Sequence, residues 1–572
     1  MKQIKFLKKL LDYKEKIRVA YIAFLMIINA ILELMSIGLI LPIMSILLTK
    51  NINFFPDKIK GYLGTLDYSF LVIVTLTALI LMYVIKNLFI IFYNYQLGVF
   101  LKDLQVRIMR DLFHKYIYQN YLFFLQKKLG TILRNLNSAR LVSLFLYSYL
   151  TAVLEVLVIT LMLAYLLFLN PTATIIITII FSFFGSIMYL KTKKNLKDWS
   201  VTKLELEAKI LQQISQSFTL IKNIKIFNKE KKMYNFFYET LKRQEQAGFK
   251  IDFIQQIPRA LMEVLGVVSI SVLIFVLSVN GKNTEEILIL AAVYAAVAFR
   301  LIPSSTRIIA AGQRIKALGP ALDLIKGEFS NLKVGRIEDE EQTIHKLEFN
   351  EIKLKDINFK YEKGKNDVLS HINFKINKGE IIGIYGHSGS GKSTLVNLIS
   401  GLIDPTSGEI EINNKNLKDQ KKNWLLVLGY VPQQSGLFND TISKNISFFE
   451  DDNDNDVFKE KLKKALSQSN LIDFVETLPD KENTEVGESA GKLSGGQVQR
   501  IGIARALFND PQFVIFDEST NSLDDKNEKD IMKFIYSLKG KKTVLIISHK
   551  EEILNECDRI YKIENKNLKK IK

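Results

Sequence analysis

The stretch from Val156 to Leu190 limits what this chain can fold into more than any other: about 35 consecutive residues carry no Asp, Glu, Lys or Arg. A helix crossing ~30 Å of hydrocarbon at ~1.5 Å per residue needs about 20 residues, so the stretch is too long for one crossing and fits two. Asn170-Pro171 interrupts it midway and is read as a tight turn between spans, because the residue before proline avoids the α conformation. Apolar stretches at approximately 19–48, 68–96, 141–169, 172–190, 252–279 and 285–311 predict six spans. The first is too long for a signal peptide and lacks a small-residue cleavage site, so it is read as retained. Beyond Gly319-Pro320 no such stretch recurs. Composition reflects the same division, since 48% hydrophobic residues and a mean hydropathy of +0.12 are too apolar for an ordinary soluble enzyme with 24% charged residues. A single cysteine, Cys557, excludes an intrachain disulfide and a thiolate metal site.

The net charge of +18 raises the question of nucleic acid, and its distribution answers it. Lys2, Lys5, Lys8, Lys9, Lys14, Lys16 and Arg18 precede the first span, and segments 97–140 and 191–250 are rich in Lys and Arg. Segment 49–67 and the turns at Asn170 and Gly281 are not. Basic loops mark the cytoplasmic side, so both termini are expected in the cytoplasm and no nucleic-acid partner is expected. Within the basic segments Leu204, Ala208, Leu211 and Ile214 recur at helical spacing. Helices are therefore predicted to run beyond the membrane, ending in short turns near Tyr121-Phe124 and Phe227-Lys232.

From about Leu347 short β-branched runs alternate with helical stretches, which predicts an α/β domain with a largely parallel sheet. The expected organisation is an all-α transmembrane domain over 1–318, a linker over 319–346 and an α/β P-loop NTPase domain over 347–572. Strand Ile381-Tyr385 leads into Gly386, His387, Ser388, Gly389, Ser390, Gly391, Lys392, Ser393 and Thr394, then a helix. Glycines let backbone N–H groups converge on phosphate oxygens, Lys392 reaches the β/γ-phosphates of ATP, and Ser393 ligates Mg²⁺. The apolar strand Phe513-Phe516 ends in Asp517, suited to hold Mg²⁺, and Glu518, suited to polarise water. Between them Ser494, Gly495, Gly496 and Gln497 open a second helix. Their N–H groups make a second anion site, yet one chain has one γ-phosphate to offer, so a homodimer is expected.

The string Leu493-Ser494-Gly495-Gly496-Gln497, lying between a P-loop and Asp517-Glu518, resembles the signature of ATP-binding-cassette (ABC) proteins, which closes over ATP held by the opposite subunit. Further residues match that family. Tyr361 resembles the aromatic that stacks on adenine, and Gln433 the glutamine that senses Mg²⁺. Ser522-Leu523-Asp524 resembles the loop crossing the dimer interface, His549 the histidine that contacts γ-phosphate, and Thr484-Glu488 a segment characteristic of exporters. Asn521 and Val498 depart from the pattern without affecting the hydrolytic residues. The whole chain resembles an exporter-type half-transporter, which implies two competent ATP sites per homodimer.

Charges within a span cost about 2.5–3.5 kcal/mol each on insertion scales, so those present face a cavity or a partner. The spans contain Glu33, Lys86, Glu155, Arg259, Glu263, Arg300 and Arg307. Arg259 and Glu263 are four apart and suited to pairing. Arg300 and Arg307 lie two turns apart on one face without nearby acids on that helix, which predicts a strongly positive cavity for a phosphate or pyrophosphate; snorkelling to the interface is the alternative for Arg307. The sequences around Arg259, Arg300 and Arg307, together with Lys86, resemble the bacterial flippase family for lipid-linked oligosaccharides of protein N-glycosylation. Phe54, Phe55, Ile59, Tyr62 and Leu63 resemble that family's short external helix. The resemblance implies an inner-membrane flippase whose partners are membrane lipid and an anionic lipid-linked glycan. The rival readings are an exporter of amphipathic drugs or peptides and a non-transporting ATP-gated channel or regulator.

Overall fold

A computed structural model describes residues 2–49, 67–281, 283–332, 347–361, 366–450, 456–487, 493–519 and 525–572. The expected external helix at Phe54-Leu63, the residues Asn521, Ser522 and Asp524, and Glu488 lie outside the described residues, as does the side chain of Arg259. The chain folds as two units, one within residues 1–334 apart from Asn120–Leu122, the other from Gly335 to Lys572.

The first unit is helical. A short α1 (Lys2–Leu10) precedes α2 (Tyr13–Gly38), α3 (Ile40–Thr49), α4 (Tyr68–Ile117), α5 (Tyr121–Gln126) and α6 (Leu129–Leu169). Then follow α7 (Pro171–Thr219), α8 (Ile221–Ile226), α9 (Glu230–Val279) and α10 (Thr284–Asn331). Six helical stretches among the described residues are long and apolar enough to cross a membrane, the first formed by α2 and α3 together and the others by α4, α6, α7, α9 and α10. The break between α2 and α3 falls at Leu39, between Gly38 and Pro42, because Pro42 has no N–H to give the preceding turn. Four of these helices reach 48 to 50 residues, so at ~1.5 Å per residue they are about twice the thickness of a hydrocarbon core.

Local chemistry sets the turns. Asn170 ends α6 and caps α7: its side-chain oxygen accepts the N–H of Ala173 at 3.1 Å, and Pro171 occupies the first helical position, where a missing N–H is harmless. At the other end of the bundle α5 and α8 form single short turns of helix between the long ones. The Tyr116 hydroxyl donates to Glu328 at 2.8 Å and accepts from Asn135 at 2.8 Å, while Lys127 reaches the same Glu328 oxygen at 2.6 Å. This knot fastens the α4–α5–α6 turn to the end of α10. The core, including Ile108, Leu112, Val142, Val158, Val293 and Val297, is fully buried where α4, α6 and α10 meet.

The structure differs from the expected linker at 319–346. Helix α10 runs through Gly319-Pro320 to Asn331. An internal proline costs about 3 kcal/mol, and here Ala321, Leu322 and Ile325, each at most 1% exposed, offset it by packing one face of the same helix into the core.

The second unit contains two main sheets. A four-stranded antiparallel sheet is built from β1 (Glu351–Phe359), β2 (Leu369–Asn377), β4 (Ser407–Ile412) and β5 (Lys415–Asn416) in the order β2-β1-β4-β5. The six-stranded sheet has the order β12-β11-β3-β10-β9-β6, comprising β3 (Ile381–Tyr385), β6 (Leu428–Val431), β9 (Phe513–Asp517), β10 (Thr543–Ser548), β11 (Arg559–Glu564) and β12 (Asn567–Lys570). All its pairings are parallel except that of β12. Parallel strands are covered on both faces, which explains the unbroken apolar runs of β9 and β10, whose residues are all buried. Two short strands, β7 (Asp440–Thr441) and β8 (Glu485–Val486), pair separately.

Candidate functional site

In an open parallel sheet, ligands bind beyond the carboxyl ends of the strands. Here β3, β10, β9 and β6 end side by side, with Ile547 of β10 level with Asp517 of β9 and Ser548 level with Tyr385. The P-loop leaves β3, Asp517 and Glu518 end β9, His549 follows β10, and Gln433 follows β6. Four segments distant in sequence are thereby brought to one edge.

The loop is shaped for an anion. Gly389 and Gly391 have φ of +79° and +105°, in the left-handed region that glycine enters without strain. A Cβ on Gly391 would stand 2.9 Å from Leu369, and one on Gly386 2.8 Å from the Ser390 hydroxyl. Eight-residue helix α11 (Lys392–Ile399) starts directly after the loop. Lys392, 6% exposed, turns its ammonium back onto the carbonyls of Gly386 (2.7 Å) and His387 (3.1 Å) and lies 3.3 Å from Glu518. The Ser390 hydroxyl is buried without a hydrogen-bond partner among the described residues. A phosphate would satisfy both, so the residues present fit the triphosphate of ATP.

His387, Ser388, Gly389 and Ser393 are exposed along the loop, whereas Thr394 is buried and its hydroxyl lies 3.2 Å from that of Tyr361. Tyr361 also packs edge-on against Phe359, with ring centroids 4.9 Å apart. The expected adenine-stacking residue thus stands beside the start of α11.

Glu518 receives the Gln433 amide at 2.9 Å on one oxygen and faces Lys392 with the other. Its φ is +46°, sparsely populated for a residue with a Cβ, and its N–H donates to the Ile547 carbonyl at 3.0 Å. Asp517, 8% exposed, accepts the Tyr430 hydroxyl at 3.1 Å. Burial pushes the Asp517 carboxyl above its usual range, Glu518 adds to this, and Tyr430 and Lys392 oppose it. Such a group gains from a nearby cation. Ser393, Gln433 and Asp517 present oxygen donors of the hard type that Mg²⁺ takes. Tyr430 was not singled out in the sequence, where it reads as one more strand aromatic.

Helices α12 to α15 occupy Lys421–Val427, Ile442–Ser447, Asp456–Gln468 and Ile472–Glu476, and Ser494 caps the next, α16 (Gly495–Leu507). Its hydroxyl accepts the Gln497 N–H at 3.3 Å and its own N–H donates to the Gln497 side chain at 2.8 Å, a reciprocal capping box. Ser494 and Gly495 are exposed, Gly496 and Gln497 half-buried, and nothing lies within 4 Å of a Cβ added to Gly495. His549 is exposed at the end of β10.

Within the membrane-length helices the structure corrects the strongly positive cavity. Arg300 donates to Glu33 at 2.8 Å and to Ser304 at 2.6 Å, and lies 3.5 Å from Glu155. Arg307 pairs with Glu155 at 2.6 Å, and Lys86 lies 3.8 Å from Glu33. Two nearly buried carboxylates, from α2 and α6, therefore neutralise most of the charge of three basic residues, from α4 and α10. Sequence reasoning looked for acids on the arginines' own helix and missed these, which arrive from others. Arg300 is 16% exposed and Arg307 46%, so Arg307 retains the more open guanidinium.

Residues 26–302 match the family model of the ABC transporter transmembrane region, and residues 369–521 that of the ABC transporter. An ATP-dependent lipid A-core flippase of Vibrio vulnificus is 37% identical over 216 residues, 38% of this chain and 36% of that protein. A probable ABC transporter ATP-binding/permease protein of Haemophilus influenzae is 36% identical over 230 residues, 40% and 41% of the two chains. The aligned parts thus span about two fifths of these relatives. A putative export ATP-binding/permease protein of Rickettsia bellii is 30% identical over 389 residues, 66% of this chain and 64% of that one. The structure of a bacterial Atm1-family ABC exporter with ATP bound shares the fold, with a TM-score of 0.75 over 97% of this chain and 94% of that one at 21% identity. Helices of membrane length followed by a P-loop sheet domain thus match, each through its own family model, the two parts of an ABC transporter in order along the chain.

Proposed function

We propose that this protein is a homodimeric exporter that uses ATP hydrolysis to move an anionic amphiphilic lipid, such as a lipid-linked oligosaccharide or related glycolipid, across the bacterial inner membrane. Both termini would then lie in the cytoplasm, on the side of the basic segments.

The observation that carries the hydrolytic half is the convergence of Lys392, Glu518 and Gln433 at one sheet edge, linked by contacts of 2.9 and 3.3 Å. Lys392 and the loop N–H groups bind the β- and γ-phosphates, and Tyr361 supports the base. Glu518 accepts the proton of the attacking water, Gln433 orients that carboxylate, and His549 contacts the γ-phosphate. Ser393, Gln433 and Asp517 would hold Mg²⁺, which would supply charge neutralisation on the phosphates. The open surface around Ser494, Gly495, Gly496 and Gln497 receives the nucleotide bound by the other copy. Such sharing makes two copies necessary.

Support for an anionic lipid comes from the five-charge cluster. With three basic and two acidic groups it keeps one net positive charge at membrane depth, and bilayer-embedded charge is retained where it has a task. The relatives named as lipid A-core flippases favour a lipid over a soluble solute. Arg259 would add a further positive group.

Proteoliposomes containing a fluorescent polyprenyl-pyrophosphate glycan test this reading. ATP should move the probe between leaflets, and Glu518→Gln should reduce ATP hydrolysis by about 10²-fold or more while ATP binding persists. Equal ATP-driven movement of an uncharged amphiphile would overturn the anionic-substrate reading.

A further inference from the structure

Inside the first unit, α6, α7, α9 and α10 enclose a cavity of about 560 Å³ that the nucleotide chemistry does not use. Along α10 its wall runs from Tyr294 to Ile315, about 31 Å of helix at ~1.5 Å per residue, close to the ~30 Å of hydrocarbon in a bilayer. Ligand pockets commonly hold ~300–1,000 Å³, so a cavity of ordinary volume extended over this length is narrow. Its walls are apolar, with Ile159, Leu163, Phe181, Ile270, Leu301 and Ile308 among them. The hydroxyls of Thr178 and Ser269 in the wall donate to the carbonyls of Thr174 and Leu265 in their own helices, and Ser182, Ser186 and Ser305 add small hydroxyls to an otherwise mostly apolar lining. Near the Asn170 turn Tyr294 closes one end, its hydroxyl 2.7 Å from Thr174 and 3.2 Å from the Asn170 carbonyl. Length, narrowness and lining together suit one extended hydrocarbon chain.

The charge cluster adjoins this cavity. On α6 Glu155 is one turn from Ile159 and on the same face as Ile159, Leu163 and Leu166, all three of which line the wall. On α10 Arg300 and Arg307 immediately flank the wall residues Leu301 and Ile308. A lipid with an anionic head and an apolar chain matches both features at once, the head meeting the half-exposed guanidinium of Arg307 on the side that Glu155 leaves open.

We propose that the cavity receives one hydrocarbon chain of the transported lipid, acyl or isoprenoid, while its anionic head group lies against Arg307 beside the wall residue Ile308. This rests on the anionic-lipid reading above and adds a location for the chain within each protomer. Gly185 supplies the test site: a Cβ there would meet Ile309 and Met262 at 3.8 Å each, so a methyl group fits and a phenyl ring would occupy the space meant for the chain.

The full-length protein is reconstituted in phosphatidylcholine vesicles doped with phosphatidic acid that bears a photoactivatable diazirine midway along one acyl chain. After irradiation the labelled peptides are mapped by mass spectrometry. Labelling should concentrate on α7 between Ile177 and Ser186 and on α10 between Tyr294 and Ile315. Gly185→Ala should retain it, Gly185→Phe should lose about tenfold or more, as when a few methylenes are excluded from an apolar pocket, and Arg307→Gln should reduce it. The matching diazirine diacylglycerol should label these peptides weakly. Labelling elsewhere, or labelling of wild type and Gly185→Ala that persists in folded Gly185→Phe, would overturn the chain site. Equal labelling by diacylglycerol, indifferent to Arg307→Gln, would identify a structural bulk lipid and overturn the proposal while leaving ATP-driven lipid export intact. Failure of that broader reading would show separately, as absence of ATP-driven probe movement in the same vesicles.

Discussion

Glu155, 3% exposed, sits between Arg307 and Arg300, so removing its charge leaves guanidinium groups at membrane depth with one counter-ion fewer. Breaking a buried pair costs about 3–5 kcal/mol, and Glu155→Gln should lower the melting temperature in detergent accordingly. The same change frees Arg307 for a substrate anion, so transport should half-saturate at lower lipid concentration; an unchanged concentration dependence would contradict the competition. Asp517 makes a prediction with a defined sign. Its carboxyl is held above its usual range in the nucleotide-free fold, so ionisation there opposes folding, and stability falls as pH rises from the unfolded-state value of about 4 through the raised folded one. Asp517→Asn should therefore stabilise the nucleotide-free protein at neutral pH, with the gain vanishing as the pH approaches ~4, read by thermal unfolding across pH. The same variant should lose the extra stabilisation that Mg²⁺ adds to ATP. These two residues mark the boundary of what the sequence discloses. Asp517 is legible because strand and catalytic residues are contiguous. The link from Glu33 to Arg300 spans 267 positions and that from Glu155 to Arg300 145, and both depend on how three helices are rotated against one another, which no local string encodes.

At the level of elements, the turn at Asn170-Pro171 was readable because capping and proline chemistry are local. Asn170→Ala should remove the cap to Ala173 and cost about 1 kcal/mol, measurable as a lower melting temperature with ATP hydrolysis retained. The end of α10 was not readable in the same way. Gly319-Pro320 carries every local sign of termination, and the burial of Ala321, Leu322 and Ile325 overrides it. The parallel strands of the second unit announce themselves through continuous apolar runs, but their order places His549 and Glu518 on neighbouring strands, and sequence order alone separates them.

For the whole molecule, the shared ATP site leads to a complementation experiment. Lys392→Ala removes the phosphate lysine and Ser494→Arg blocks the surface offered to the other copy's nucleotide, so either homodimer should be inactive. Co-assembled, the two variants leave one composite site intact, and ATP hydrolysis should return to a measurable fraction of wild type. Absence of recovery in verified mixed dimers would overturn the reading that one intact shared site suffices for hydrolysis. Within one protomer, α10 unites several parts of the machinery: Arg300 and Arg307, one wall of the cavity and, near its end, Glu328 fastened to Tyr116 and Lys127. Because the helix continues through both Pro303 and Pro320, torsion applied at Glu328 can pass along it to the arginines. A twist of this single shaft would swing the arginines and reshape the slot in the same stroke, making grip and release of cargo two angular positions of one lever.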